Sequence, residues 1–414
     1  MSFKVVEAFA GIGSQAKALS NLGIDHEVVN IIEWDINAIY AYDIIHNGPQ
    51  NLDKYKSTPK EVLIEELSKY QLSSNGKEPL TLASLSRLPI STLKRVLEAI
   101  RRTRNLVSIT DVKAKDLPDE IDLLTYSFPC QDLSISGFWH GNKGGIDRDA
   151  NNRSGMLWEV ERILMELGDE NRQVPKYLVM ENVTNILADR HIGNFVEWQT
   201  FLERIGYVNK VYNLKATNFG VPQNRTRTFM LSVYVGDNQD LRSNIETFFV
   251  ENNLENVRTN LDKDILDEYL KIDYTNAIYY AEAITNTPND TPSRRKIFNE
   301  NPHLVDEDGR PNAPIVRTIT TKQDRHPNSG VILHDLHIAG KSQFRYLTPR
   351  ECFMLMGFDE SDYQRLVDSN FKNRKDINFL TNEKLVKFAG NSIVVNVIQA
   401  VFEQITQIRE QYNI

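Results

Sequence analysis

The opening of the chain alternates short β-branched runs with amphipathic stretches. Lys4 to Phe9 is apolar and β-prone, Gly11-Ile12-Gly13-Ser14 reads as a turn, and Gln15 to Leu22 has helical spacing. Val28 to Ile32 is a second β-branched run. It ends at Glu33-Trp34-Asp35 and leads into a helical segment from Ala38 to Ile45. Further buried-strand candidates are Ile121 to Tyr126, Tyr177 to Met180 and Thr228 to Val233, with helical segments such as Met156 to Leu167 and Phe195 to Ile205 between them. This alternation predicts an α/β fold, a mostly parallel doubly wound sheet with helices on both faces.

Two stretches break the pattern. From Gly48 to Val107 the chain is polar and rich in Lys and Glu, with helical spacing at Pro59 to Lys69 and Leu93 to Arg101, and reads as a helical insertion over about 48–107. After Val235 come short Asn-, Asp- and Pro-rich segments as far as about Gln343. A helical run from Thr348 to Met356 follows, and Gly390-Asn391-Ser392 opens a final amphipathic helix. The expected organisation is a main domain over 1–235, a smaller one over 236–345, a return segment over 346–381, and a last helical segment over 382–414 that completes the main domain. A chain of 414 residues is long enough to divide in this way.

Composition narrows the class. Charged residues at 25% and aromatics at 9% exclude a disordered or low-complexity chain. No uninterrupted apolar run approaches the roughly 18 residues of a membrane span, and the N-terminal residues lack a signal-peptide pattern, so a cytoplasmic protein without a membrane partner is expected. The 2 cysteines, Cys130 and Cys352, are too few for a disulfide framework or a structural zinc site, and no metal is expected. The net charge of -8 argues against a general polyanion binder, but it averages over faces. Arg87 to Lys115 carries Arg87, Lys94, Arg95, Arg101, Arg102, Arg104, Lys113 and Lys115 against Glu98 and Asp111, and Arg294, Arg295 and Lys296 form a second cluster. Either run reads equally as a solvated face or a contact surface.

Several strand ends bear groups capable of chemistry. The turn Phe9-Ala10-Gly11-Ile12-Gly13 followed by Glu33 at the end of the second strand suits a nucleoside, with glycines for close approach and an acid for ribose hydroxyls. The third glycine of a pyrophosphate loop is missing. Cys130, in Ser127-Phe128-Pro129-Cys130-Gln131, follows a strand at the edge where such sheets place ligands. A thiol of ordinary pKa near 8.5 is only about 3% ionised at neutrality, so a nucleophilic role needs help from its surroundings. Cys352 lies inside an amphipathic helix and reads as core. Glu181-Asn182-Val183 ends another strand at the same edge, and Arg225 and Arg227, two residues apart, would share one face of a continuous strand.

Taken together, FAGIG, EWD, SFPCQDLSISG, RSGMLWE, ENV, FGVPQNRTR, RTITT, LTPRECFMLMGF and GNSIVVNVIQ stand in the order found in the cytosine-C5 DNA methyltransferase family, and the chain resembles that family over almost its whole length. The resemblance implies a Rossmann-like S-adenosylmethionine-dependent methyltransferase domain and makes 236–345 a target-recognition domain. It implies that Cys130 adds to C6 of a flipped cytosine in a short duplex sequence, that Glu181 serves N3 and the 4-amino group, that Arg227 contacts O2, and that Arg225 holds the catalytic loop or a phosphate. For S-adenosyl-L-methionine, and its product S-adenosyl-L-homocysteine, it implies Phe9, Gly11 and Gly13 as lining, Glu33 at the ribose, Trp34 and Asp111 at the adenine, and Leu157, Asn391 and Ser392 as further wall. Ser134, Ser136, Gln223, Arg317, Thr320 and Lys322 are the expected DNA contacts. A monomer acting on double-stranded DNA is expected, with a cognate restriction endonuclease as a genetic partner. The alternatives are a transfer-RNA methyltransferase of the same family, disfavoured because no cysteine lies between Cys130 and Cys352, and a catalytically idle DNA-binding regulator on this fold.

Overall fold

A computed structural model describes residues 2–129 and 153–414. The chain forms two compact units. The first comprises Met1–Leu214, Thr226–Asn256 and Ile398–Ile414; the second comprises Lys215–Arg225 and Val257–Val397.

The first unit is built on strands β1 (Phe3–Ala8), β2 (His26–Ile32), β3 (Leu123–Tyr126), β4 (Tyr177–Val183), β5 (Tyr207–Lys215) and β7 (Thr226–Tyr234); the two-residue strand β6 (Gln223–Asn224) belongs to the second unit. The sheet order is β2-β1-β3-β4-β7-β5. Strands β2, β1, β3 and β4 pair in parallel. Their near-continuous burial, with every residue of β3 inside, is what a sheet covered on both faces requires. Strand β7 departs from the parallel run and pairs antiparallel with β4, Val183 opposite Arg227 and Glu181 opposite Phe229. The beginning of β7 therefore lies at the carboxyl end of β4. The chain steps from β1 out to β2 and then back across to β3, so the strand order reverses between β1 and β3, where open α/β sheets bind ligands.

The insertion folds as three helices, Lys60–Leu67, Leu82–Ser86 and Ile90–Arg102. In the last, Leu93, Val96, Leu97 and Ile100 recur at helical spacing and are buried, which turns the arginines to the opposite side. There they meet acids: Arg101 lies 3.3 Å from Glu66, Arg102 3.2 Å from Asp43 and Arg104 2.6 Å from Glu27. The final helix, Val395–Tyr412, reaches the first strand, with the Arg409 guanidinium 5.4 Å above the Phe3 ring. Within Asn382–Tyr412 an 18-residue window is on average apolar enough to cross a membrane, but 72% of that window is buried inside the fold. Its hydrophobicity is that of a core helix.

Among the described residues the second unit has only two-stranded fragments of sheet, with strands at most three residues long, and leans on buried polar pairs. Arg345 and Glu351 are both wholly buried and form a two-pronged ion pair at 2.8 Å. Glu351 also accepts from the Thr348 amide, so one carboxylate caps the helix Pro349–Met354 and anchors the strand Phe344–Tyr346. Removing either partner would leave a buried charge uncompensated. Cys352 lies in this helix, fully buried, and burial pushes its thiol far above the ordinary range, in keeping with a core residue.

Candidate active site

At the end of β1 the backbone enters the left-handed region three times, at Phe9 (φ 57°), Gly11 (φ 56°) and Gly13 (φ 81°). Gly13 is irreplaceable on steric grounds, because a Cβ there would stand 2.1 Å from Nε2 of His46, which is bonded to the Ile12 carbonyl at 3.0 Å. At Gly11 a Cβ would meet nothing within 4 Å, so open space adjoins its amide. That amide donates to Oε2 of Glu33 at 3.0 Å, and the Asp35 amide donates to Oε1 at 2.8 Å. The carboxyl of Glu33 is thus held at both oxygens with lone pairs to spare, and burial raises its pKa to about 7. A pinned acid beside open space at a tight turn fits two adjacent ribose hydroxyls. Trp34 is half-buried next to it.

The other residues expected at the donor end differ in exposure. Asp111 is exposed on a loop whose Ile109 and Val112 carbonyls are both held by Arg162, at 3.1 and 2.8 Å. Leu157 is fully buried, in the core cluster against which Phe9 packs, so it backs the turn from inside the core. Arg162 was not singled out from sequence. Its i–3 and i+4 acids, Glu159 and Glu166, disguise it as an ordinary helix-surface ion pair.

The second group stands at the ends of β3 and β4. Tyr126 is paired with Met180, so Ser127 and Glu181 are the next residues along in register. The Ser127 hydroxyl donates to Oε2 of Glu181 at 2.6 Å, and Nε of Arg227 stands 3.5 Å from Oε1. Arg227 reaches Glu181 because β7 is antiparallel, which sets it diagonally across from the acid on one face. Asn182 donates to the Phe128 carbonyl at 3.1 Å and ties the end of β4 to the segment that leads into Cys130. Cys130, Ser134 and Ser136 lie outside the described residues. Ser127 escaped the sequence reading, although it precedes Cys130 by only three positions.

The remaining candidates belong to the second unit. The expected shared face for Arg225 and Arg227 does not form: Arg225 falls between β6 and β7, its amide bonded back to the Gln223 carbonyl, so alternation does not run through it. Its guanidinium is buried and donates to the carbonyls of Ile319, Gly390 and Ser392 at 3.0, 3.2 and 2.9 Å. Gln223, expected at DNA, is fully buried, donating to the Leu355 carbonyl and accepting from the Ile319 amide. Arg225 ties the Ile319 backbone to that of Gly390 and Ser392, Gln223 ties Ile319 to Leu355, and Gly390 packs so tightly on Thr320 that a Cβ would lie 2.4 Å from its carbonyl carbon. Arg317 and Lys322 are exposed on this segment, Thr320 is half-buried, Asn391 is exposed and Ser392 is buried. Among the described residues no cluster of three or more His, Cys, Asp and Glu could hold a metal ion.

A sheet reversing between β1 and β3, with a glycine turn and a pinned acid on one side and a second acid beside the segment leading to Cys130 on the other, has the layout of the S-adenosylmethionine-dependent methyltransferase fold. The overall fold is similar to that of the S. pombe Dnmt2 methyltransferase, with a TM-score of 0.59 at 17% identity and all of both chains covered. The profile of the C-5 cytosine-specific DNA methylase family matches residues 88–407, and the chain belongs to that family. It is 33% identical to the orphan methyltransferase M.SssI of Spiroplasma monobiae, over 97% of each chain. It is 32% identical to the type II methyltransferase M2.ScrFI of Lactococcus lactis subsp. cremoris, over 97% of this chain and 98% of that one. Its activity is that of a DNA cytosine-5 methyltransferase, and family and fold imply the use of S-adenosylmethionine.

Proposed function

We propose that the chain methylates C5 of a cytosine swung out of duplex DNA, with Cys130 as nucleophile and Glu181 as the acid that serves the ring. The observation that supports this most is the placement of Glu181, fixed between the Ser127 hydroxyl and the Arg227 guanidinium at the strand ends that lead to Cys130. C5 and C6 cannot be reached inside the stack, so the base must leave it at a cost of about a few kcal/mol.

The Cys130 thiolate adds to C6, and the electron pair of the C5–C6 double bond becomes available at C5. Protonated Glu181 gives its proton to N3 as charge accumulates there and accepts from the 4-amino group through its other oxygen. Arg227, beside the same carboxyl, donates to O2. S-adenosylmethionine, when bound, supplies an electrophilic methyl carbon; Phe9, Gly11, Gly13, Glu33, Trp34 and Asp111 would hold it, with Leu157 behind. Once C5 carries the methyl group, a base takes the C5 proton, the pair re-forms the double bond, Glu181 recovers its proton from N3, and the C6–S bond breaks to return the thiolate. The exposed Arg317 and Lys322, with Thr320, would contact the duplex, phosphate contacts supplying most of the affinity.

We further infer a monomer working in the cytoplasm, with a cognate endonuclease as genetic partner. In the test, duplex DNA containing 5-fluorocytosine at target sites is incubated with enzyme and cofactor. A covalent adduct on Cys130 is expected, because fluorine at C5 cannot leave as a proton does. Full methylation by Cys130→Ser, or an adduct on Cys352, would refute the assignment.

A further inference from the structure

The insertion over about 48–107 is marked from sequence by its polar, Lys- and Glu-rich composition, and the basic run that begins in it reads equally as a solvated face or a nucleic-acid contact. The structure gives it a second relation, to the strand that bears Glu33. β2 is an edge strand of the sheet, so its outer amides and carbonyls need partners from elsewhere. The far end of the insertion supplies partners at the end of β2. Leaving the helix Ile90–Arg102, the chain runs alongside β2, with the Leu106 amide donating to the Ile31 carbonyl at 2.9 Å. Asn105, 4% exposed, then takes hold of Glu33 itself: Oδ1 accepts from the Glu33 amide at 3.1 Å and Nδ2 donates to the Glu33 carbonyl at 2.9 Å. One carboxamide thereby replaces the missing neighbouring strand at the residue where β2 ends. The same Oδ1 accepts from the amide of Val107, a β-branched residue at φ 69°, so the clamp is also what holds a disfavoured backbone conformation in place.

A stretch near the middle of the insertion meets the next residues. Ser73 donates its amide to the Trp34 carbonyl at 2.8 Å and accepts from the Ile36 amide at 2.9 Å, bridging Asp35. Glu33, Trp34 and Asp35 are therefore gripped from both sides by one inserted segment. Meanwhile Arg101, Arg102 and Arg104 are engaged with acids of their own unit.

We propose that the insertion is a structural part of the donor pocket and that Asn105 is the positioning residue that sets Glu33 against the ribose. The proposal rests on the reading of Glu33 as the ribose acceptor. Asn105 touches no reacting atom; it fixes the backbone from which the carboxyl hangs, and the Gly11 and Asp35 amides fix the carboxyl in turn.

The test is calorimetric titration of the whole protein with S-adenosylhomocysteine, without DNA, on either side of neutral pH. Asn105→Ala removes the clamp and should weaken binding about tenfold. Asn105→Asp keeps the acceptor, loses the amide donor and sets a second carboxyl near the first. It should move the pH at which affinity falls upward by about one unit, a shift that a purely structural residue would not produce. An Asn105→Asp protein with unchanged affinity and pH profile overturns the proposal, and so does one that binds more weakly with no shift; this near-isosteric variant decides alone if Asn105→Ala does not fold. In parallel, Arg87→Glu with Lys94→Glu should leave the KM for DNA unchanged, and a rise there would make the insertion a DNA contact and overturn the proposal. Wild-type protein that binds no S-adenosylhomocysteine would refute the donor-pocket reading itself, whereas normal wild-type binding with unaffected Asn105 variants would refute only the role of Asn105.

Discussion

Two glutamates end neighbouring parts of the same sheet, and they are held by different means. Glu33, at the tip of β2, has each carboxyl oxygen fixed by a backbone amide and its own backbone clamped by Asn105. Glu181, near the end of β4, is met among the described residues by side chains, a serine hydroxyl and a guanidinium. Backbone donors cannot rotate away, so Glu33, once ionised, offers a fixed surface of acceptors, which on the proposed function faces two hydroxyls that never react. A hydroxyl can turn, and a guanidinium on a flexible stem can shift, so Glu181 can change its hydrogen bonding as a proton comes and goes. On the proposed function, the binding acid and the working acid at one sheet edge are distinguished by what holds them.

The comparison is broken most directly at Glu181. Glu181→Gln keeps shape and one acceptor but has no acidic proton, and kcat should fall about a thousandfold while DNA affinity is nearly unchanged. Single-turnover methylation alongside a DNA-binding titration checks this; activity within a few-fold of wild type would mean that Glu181 only binds. Glu7 supplies the extreme case, an acid buried in β1 with the Tyr42 hydroxyl and Ala16 backbone as neighbours and a pKa raised to about 8. Its neutral form is favoured in the folded chain, so the stability tied to it is fully present below the unfolded pKa and is lost as pH rises through about 8. Glu7→Gln should therefore gain on wild type by about 5 kcal/mol on going from acid to alkaline pH, measured by denaturant unfolding. A pH-independent difference would show that the side chain ionises freely.

Glu33 gives a smaller, sharper signal. Ribose hydroxyls need the carboxylate, and with its pKa raised to about 7 that form is lost as pH falls below neutrality. Affinity for S-adenosylhomocysteine should decline about tenfold per pH unit there, and Glu33→Gln should bind weakly with a flat profile. A wild-type profile that stays flat down to the ordinary carboxylate range would place the acid in water.

Much of this was legible in the sequence, and the failures have physical causes. Strand ends at Phe9, Glu33 and Glu181 follow from β-branched runs meeting turn residues, and the ordered motifs were sufficient to indicate the family. The arrangement of Arg225 and Arg227 was not legible, because the two-residue period holds only along a continuous strand and the chain breaks at Arg225. Nor was the burial of Gln223: a polar residue beside arginines looks solvent-facing until the backbone groups it satisfies, on Leu355 and Ile319, are seen to be far away in sequence. The antiparallel turn of β7 and the grip of Asn105 on Glu33 likewise depend on pairing between distant segments, which no local pattern encodes.

The smallest expected effect tests the comparison at its weakest contact. Ser127 donates to Glu181 at 2.6 Å, and it is half-buried. Ser127→Ala removes a donor that water can partly replace, so the cost should be about 1 kcal/mol, roughly a fivefold loss in kcat, and not the larger penalty of an orphaned buried charge. If that hydroxyl holds the acid in its reactive orientation, Ser127→Thr should restore the rate, since it keeps the oxygen, and the KM for S-adenosylmethionine should stay constant throughout the series. A loss that Thr does not repair, accompanied by a higher KM for the donor, would show that the residue shapes the loop leading to Cys130. The mobile-side-chain support assigned to Glu181 would then reduce to Arg227 alone.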